Sequence, residues 1–215
     1  MVEAAKKCAS SPNNESSQDM LKRAADHLRV TTSDAVGTTI KRKMIKRLEN
    51  SSKHAAATAT QCIAASQGAG SHNKSNTTQD QLMESCKAVA DVIPKLVEGV
   101  KYSMQNPDSA MAQLNLINNA ERFLDPAFHL TGTTQSALPT VDNQSASLQL
   151  QNSAKQMENA LKELKSCINK AYAACGSLEM EASADLIHSL ECELEEFRSA
   201  ANHMQLAPLP GESVE

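Results

Sequence analysis

The chain has 215 residues, 40% of them hydrophobic but only 2% aromatic, with no Trp; a core built from Leu, Ile, Val, Met and Ala suits close-packed helices and argues against an aromatic, β-branched sheet. A formal net charge of −4 argues against a general nucleic-acid binder, which carries a basic face. There is neither a charged-then-apolar leader nor an apolar run long enough to cross a bilayer, and the 6 scattered cysteines form no C-x-x-C pair, so the expectation is an all-α, soluble, intracellular protein with free thiols.

Residues 1–9, "MVEAAKKCA", read as the end of a helix, and "SSPNNESS" breaks it, offering Ser11 or Asn14 as an N-cap. A helix over residues 15–36 follows, containing "LKRAADHLRVTT". Its stripe of Leu21, Ala25, Leu28 and Thr32 keeps helical spacing, but half of it is small or polar where a core helix normally carries Leu or Ile. Gly37 is predicted to stop this helix, and Thr38 or Thr39 to cap the next. That helix covers 40–66, with Met44, Leu48, Ala55, Ala59, Cys62 and Ile63 on one face. The glycine-rich, polar stretch 67–78 reads as a linker between domains.

The next helix, 79–104, carries Leu82, Met83, Cys86, Val89, Ile93, Leu96, Val97 and Val100, with Pro94 expected to kink or split it. "NPDS" at 106–109 is turn chemistry with Asp108 or Ser109 as cap. A helix over 110–128 holds Leu114, Ile117, Ala120 and Leu124, and "HLTGTTQSALPT" breaks it. The helix 144–175 carries Leu148, Leu150, Ala154, Met157, Leu161, Leu164, Ile168 and Tyr172, closed by Gly176. The last, 179–203, shows Met180, Ala184, Ile187, Leu190, Leu194, Phe197 and Ala201 as its stripe, before the extended "LAPLPGE".

This pattern predicts tandem helical bundles. Residues 1–66 supply two helices and a stub, an incomplete bundle, so the chain is expected to start inside one. Residues 67–78 link it to a four-helix, up-and-down bundle over 79–206, and 207–215 lead towards a following domain.

Catalytic chemistry finds little to stand on, and the chain is not read as an enzyme. Gly68-Ala69-Gly70 is too short for a phosphate fingerprint and follows a helix rather than a strand. His188 and Cys192 sit four residues apart, but zinc needs three or four ligands and no second pair lies nearby. The acidic run Glu191, Glu193, Glu195 and Glu196 reads as a solvated face. No metal or cofactor is expected. The basic cluster "KRKMIKR", with Lys41, Arg42, Lys43, Lys46 and Arg47, suits a localisation signal, an acidic-lipid patch or an acidic filament such as actin; a charged outer face is the plainer reading, since Met44 and Leu48 point inward.

The wording and order of several blocks resemble the talin rod, a string of helical bundles in adaptors that join integrins to actin. These blocks are "MVEAAK", "LKRAADHLRVTT", "IKRKMIKRLENSSKHAAATATQCIAA", "SCKAVADVIPKLVEGV", "NPDSAMAQLNLI" and "AYAACGSLEM", followed by "LAPLPGE". The resemblance spans nearly the whole chain, as the later part of a third rod bundle and a complete fourth. It implies a force-bearing cytoskeletal adaptor segment located in the cytoplasm at focal adhesions. The implied partners are the vinculin head, F-actin and Rap effectors of the RIAM type.

Vinculin-binding helices of that family follow roughly L-x-x-A-A-x-x-V-A-x-x-V-x-x-L-I-x-x-A. Leu21, Ala24, Ala25 and Val36 match, and Leu28 stands in for Val. Thr32, Ala35 and Thr39 depart towards smaller or more polar residues, and Arg29 replaces a small one. The implied vinculin-binding set is Leu21, Ala24, Ala25, Leu28, Thr32, Ala35 and Val36. A threonine-weakened stripe buries less apolar area and carries hydroxyls that need partners, which suits a helix given up to a partner. The alternatives are a signalling coiled coil, whose long heptads Pro94, Pro107, Pro126 and Pro139 interrupt, and a lipid-binding bundle, whose polar faces should be lysine-rich.

Overall fold

The computed structural model describes residues 1–11, 14–176 and 178–206. Within them the chain is all-α: α1 (Val2–Ser10), α2 (Glu15–Ala69), α3 (Asn76–Gln105), α4 (Ala110–Ala137), α5 (Gln144–Ala174) and α6 (Leu178–Leu206). The helix starts follow from capping chemistry. Asn14 Oδ1 accepts the Ser17 N–H at 3.2 Å, Ser109 Oγ that of Ala112 at 3.3 Å, and Asn143 Oδ1 that of Ala146 at 3.0 Å.

α2 is one unbroken helix of 55 residues, so Gly37 does not stop it. A helical glycine costs about 1 kcal/mol relative to alanine, which lowers local stability without forcing an exit. Thr38 and Thr39 do not cap a new helix; their hydroxyls donate back to the Asp34 and Ala35 carbonyls at 2.9 and 2.8 Å. α3 likewise runs through Pro94, and α4 through Pro126 and on to Ala137, across the expected break. An internal proline costs about 3 kcal/mol. Beside these two lie Val89 and Leu96, and Phe123 and Leu130, all buried, and each contributes about 1.5–3 kcal/mol. Burial wins.

The four-helix bundle is built from the second half of α2 with α3, α4 and α5. One core cluster joins Leu48, Ala55, Ala59 and Cys62 of α2 to Leu82 and Leu96 of α3, Leu116, Phe123 and Leu130 of α4, and Met157, Leu161 and Leu164 of α5. Residues 67–78 therefore turn the chain within this bundle rather than linking two. At that end the Lys74 N–H donates to the Thr140 carbonyl, and the Asp142 N–H to the His72 carbonyl, both at 2.9 Å. Lys74 and Asp142 also form an ion pair at 2.6 Å. The α2–α3 and α4–α5 connections are thus stitched together, over a small cluster of Ala65, Ala69, Val141 and Leu150.

The helix expected to complete the bundle, α6, packs against α4 but joins the core cluster, among its described side chains, only through Ala182. Ala182 is buried, whereas Met180, Ile187, Leu190, Leu194 and Phe197 are exposed. Its place is taken by a stripe of small residues on α2: Ser52, Ala55, Ala59, Cys62, Ser66 and Ala69 are all buried, which brings the backbones of α2 and α5 close. Leu148, expected in the core, is exposed, and Tyr172 lies at the rim with its hydroxyl donating to Glu121 Oε2 at 3.2 Å. The linker expected over 207–215 lies outside the described residues.

Buried thiols follow from this core. Burial raises the pKa of Cys62, and it pushes the Cys86 thiol up from 9.0 to about 11. An acid held neutral in the fold ionises first in the unfolded chain, so stability is complete below pH 9.0 and is lost as pH rises towards about 11. Denaturant midpoints measured across that window should fall with pH, and Cys86→Ala should flatten the fall. A profile unchanged by Cys86→Ala would show that other groups control alkaline unfolding.

Candidate functional site

The first half of α2, residues 15–40, is exposed apart from Ser17, Leu21 and Ala24, which are half-buried, and α1 packs on α2. Ala4 of α1 is buried and Cys8 half-buried there, as are Leu21 and Ala24 of α2. The remaining members of the predicted binding set are open: Ala25, Leu28 (50% exposed), Thr32, Ala35 and Val36 (54% exposed). Ala25, Leu28, Arg29, Thr32, Ser33 and Val36 line one shallow groove on this helix. Ala35 is exposed outside that lining. The fold therefore divides the seven residues, with Leu21 and Ala24 partly covered and Ala25, Leu28, Thr32 and Val36 sharing a free face.

The threonines do not leave hydroxyls unpaired. Thr31 and Thr32 donate to the His27 and Leu28 carbonyls at 2.8 and 2.7 Å. These bonds lie within the helix, so the threonines present mainly methyl groups to whatever covers the face.

The basic segment lies where α2 enters the bundle, and three of its cations are engaged locally. Arg42 donates from Nε and Nη2 to Asp108 Oδ1 at 3.0 and 2.7 Å. Lys41, half-buried, pairs with Glu181 of α6, and Lys46 with Glu49 Oε2 at 2.9 Å. Lys43 and Arg47 are exposed. Arg47 borders a groove between α2 and α5 that also takes in His54, Glu163 and Lys170, with the buried, unpartnered Ser51 hydroxyl in its wall.

Sequence reasoning missed Glu49. Its carboxylate is 4% exposed, and Oε1 accepts from the Ser103 hydroxyl of α3 at 2.9 Å. The signal was present, because Ile45, Leu48, Glu49, Ser52 and Ala56 share helical spacing, so Glu49 falls on the inward stripe. Gln113 was missed as well. It is buried, donates Nε2–H to the Pro107 carbonyl at 2.7 Å and leaves its Oε1 unpartnered.

His188 Nε2 and Cys192 Sγ lie 4.0 Å apart on exposed α6, and the described residues contain no group of three potential metal ligands. Glu191, Glu193, Glu195 and Glu196 are exposed. No described helix is long and apolar enough to cross a membrane.

Against known proteins, residues 47–171 match the family described as "Talin, R4 domain". That stretch takes in nearly all of the four packed helices, from Arg47 in α2 to Ala171 near the end of α5. The chain is 45% identical over 210 residues to Talin-2 of Mus musculus, covering 98% of this chain and 9% of that protein. It is 44% identical over 192 residues to Talin of Oscarella pearsei, covering 89% and 8%. To Talin-1 of Gallus gallus it is 45% identical over 188 residues, covering 87% and 7%. The chain thus spans less than a tenth of the length of the relatives it matches.

Proposed function

The chain belongs to the talin family, and from that premise we propose that it is a force-bearing segment of a cytoskeletal adaptor that works at integrin adhesions. The vinculin head would dock on the first half of α2. Lys43 and Arg47, the exposed cations of the basic segment, are the charges available to an acidic filament such as F-actin. Contacts with Rap effectors of the RIAM type belong to the same reading.

One observation carries it: the apolar face through Ala25, Leu28, Thr32 and Val36 stays open on a helix that continues into the packed bundle. A helix-in-groove partner requires such a face, read at i, i+3/i+4 and i+7 positions. The force-bearing part rests on geometry. Chain entry near Lys41 and exit near Glu181 lie together at one end of the bundle. Strung out as helices, the roughly 130 residues between them would reach about 200 Å. Through that distance about 5 pN supplies about 14 kcal/mol, similar to the stability of a domain this size, about 5–15 kcal/mol. Forces of this order are therefore enough to hold the opened chain.

The test is binding of the isolated 15–40 peptide to a vinculin head, where bundle stability cannot confuse the result. Leu21→Ala removes a side chain worth about 2–3 kcal/mol when fully buried, and Ala25→Glu introduces both bulk and charge at close approach. Each should weaken binding at least tenfold, which is about 1.4 kcal/mol. Lys22→Ala should change little. If the wild-type peptide fails to bind at tens of micromolar, the departures at Thr32, Ala35 and Thr39 have removed the site and this segment is scaffold.

A further inference from the structure

Where α2 enters the bundle, four elements converge. Lys41 and Arg42 of α2, Asp108 and Gln113 at the start of α4, Ala174 and Cys175 at the end of α5, and Glu181 of α6 line one cleft, with Asp34, Gly37 and Thr38 of the outer half of α2 on its rim. Beneath it Cys175 and Ala182 are buried and belong to the main core cluster. Beyond Ala182, the described side chains of α6 are exposed through residue 200.

α6 is thus held by a short seat rather than by its whole length. We propose that this seat is a latch: the Lys41–Glu181 ion pair and the buried Ala182 methyl hold the first turns of α6 over Cys175, and α6 can release from the junction while the four-helix bundle stays closed.

Three features support separate release. First, α6 packs against α4 but contributes one small buried side chain among those described, whereas α2 to α5 each contribute several large or close-packed ones, so lifting it exposes little apolar area among the described residues. Second, the ion pair spans the junction and not the bundle. Glu181 is 45% exposed at its side chain and Lys41 20%, which leaves the pair open to screening by salt. Third, a chain pulled between α2 and α6 enters and leaves at this point, so the latch is the contact that directly ties the two pulled ends together. None of this depends on vinculin binding.

Cys175 is a built-in reporter. Burial raises its pKa, the Lys41 charge lowers it and the Glu181 charge raises it, so the thiol senses both members of the pair. Cys62 and Cys86, deep in the bundle, report on the bundle itself. The experiment is pulsed alkylation of the whole chain with iodoacetamide, with the modified cysteines identified by peptide mass spectrometry.

In Lys41→Glu, alkylation at Cys175 should accelerate by about fivefold, the population change expected from losing one junction ion pair, while Cys62 and Cys86 stay protected. Electrostatics cannot mimic this result: replacing a cation with an anion beside the thiol raises its pKa further and by itself slows alkylation. Adding Glu181→Lys to Lys41→Glu should restore protection. In the wild-type chain, raising salt should accelerate Cys175 and leave Cys86 unchanged. If Cys175 reactivity does not rise in Lys41→Glu, the pair does not hold α6. If Cys175 and Cys86 accelerate together, the bundle opens as one unit, and either result overturns the latch.

Discussion

Phe123→Ala is expected to destabilise the bundle by about 3–5 kcal/mol, whereas Phe197→Ala is expected to change its stability by less than about 0.5 kcal/mol. Phe123 is fully buried on α4, among the largest side chains in the core. Truncating it removes its transfer energy and leaves a cavity between helices held by many neighbours, which cannot collapse far. Phe197 is 76% exposed on α6 and has little burial to lose. The sequence placed Phe197 on a predicted apolar stripe and left Phe123 off one, so the pair measures which helix belongs to the core. Urea unfolding followed by helical circular dichroism provides the check. Similar losses for both variants would mean that α6 packs on the bundle through Phe197 in solution, and the division into bundle and projecting helix would be wrong.

Glu49→Leu should cost about 2 kcal/mol, within the range for losing hydrogen bonds to a charged group and stranding a buried hydroxyl. The carboxylate accepts from Ser103 Oγ and pairs with Lys46. Lys46 is 60% exposed at its side chain and returns to water when released, so the loss falls on Ser103, which is fully buried. Removing both partners in Glu49→Leu/Ser103→Ala should recover most of the stability, because no polar group is then left unpaired. A double-mutant cycle reads this coupling directly. If the double variant is no better than Glu49→Leu, the loss comes from overpacking by leucine between α2 and α3 rather than from the stranded hydroxyl.

The all-α class, the positions of most helices and two of the predicted caps, Asn14 and Ser109, were legible because each depends on neighbours within a few residues. Periodicity reports which side of a helix is apolar, and a cap is a contact across one turn. The same local signals misled at Gly37, which does not stop α2, and at the break expected after residue 128, where α4 continues to Ala137, and Pro94 does not split α3. The implied binding set on the first half of α2 could be recognised as a face, but its division between a part covered by α1 and an open groove could not. That depends on where a separate helix lies.

Which four helices make the bundle was settled only by the tertiary structure. By apolar content α6 outranks the second half of α2, since Leu, Ile and Phe are set against Ser, Ala and Cys. The sequence by itself determined two amphipathic faces and their relative hydrophobicity. Hydrophobicity is not what selects the packed helix here. The small residues on α2 let its backbone approach α5 closely, and close-packed contact at many atoms outweighs a few larger side chains that find no matching surface. The pairing of Glu49 with Ser103, and of Lys41 with Glu181, is decided in the same way. Those partners lie 54 and 140 residues apart, and no periodicity within a helix encodes contacts made only once the helices have chosen their neighbours.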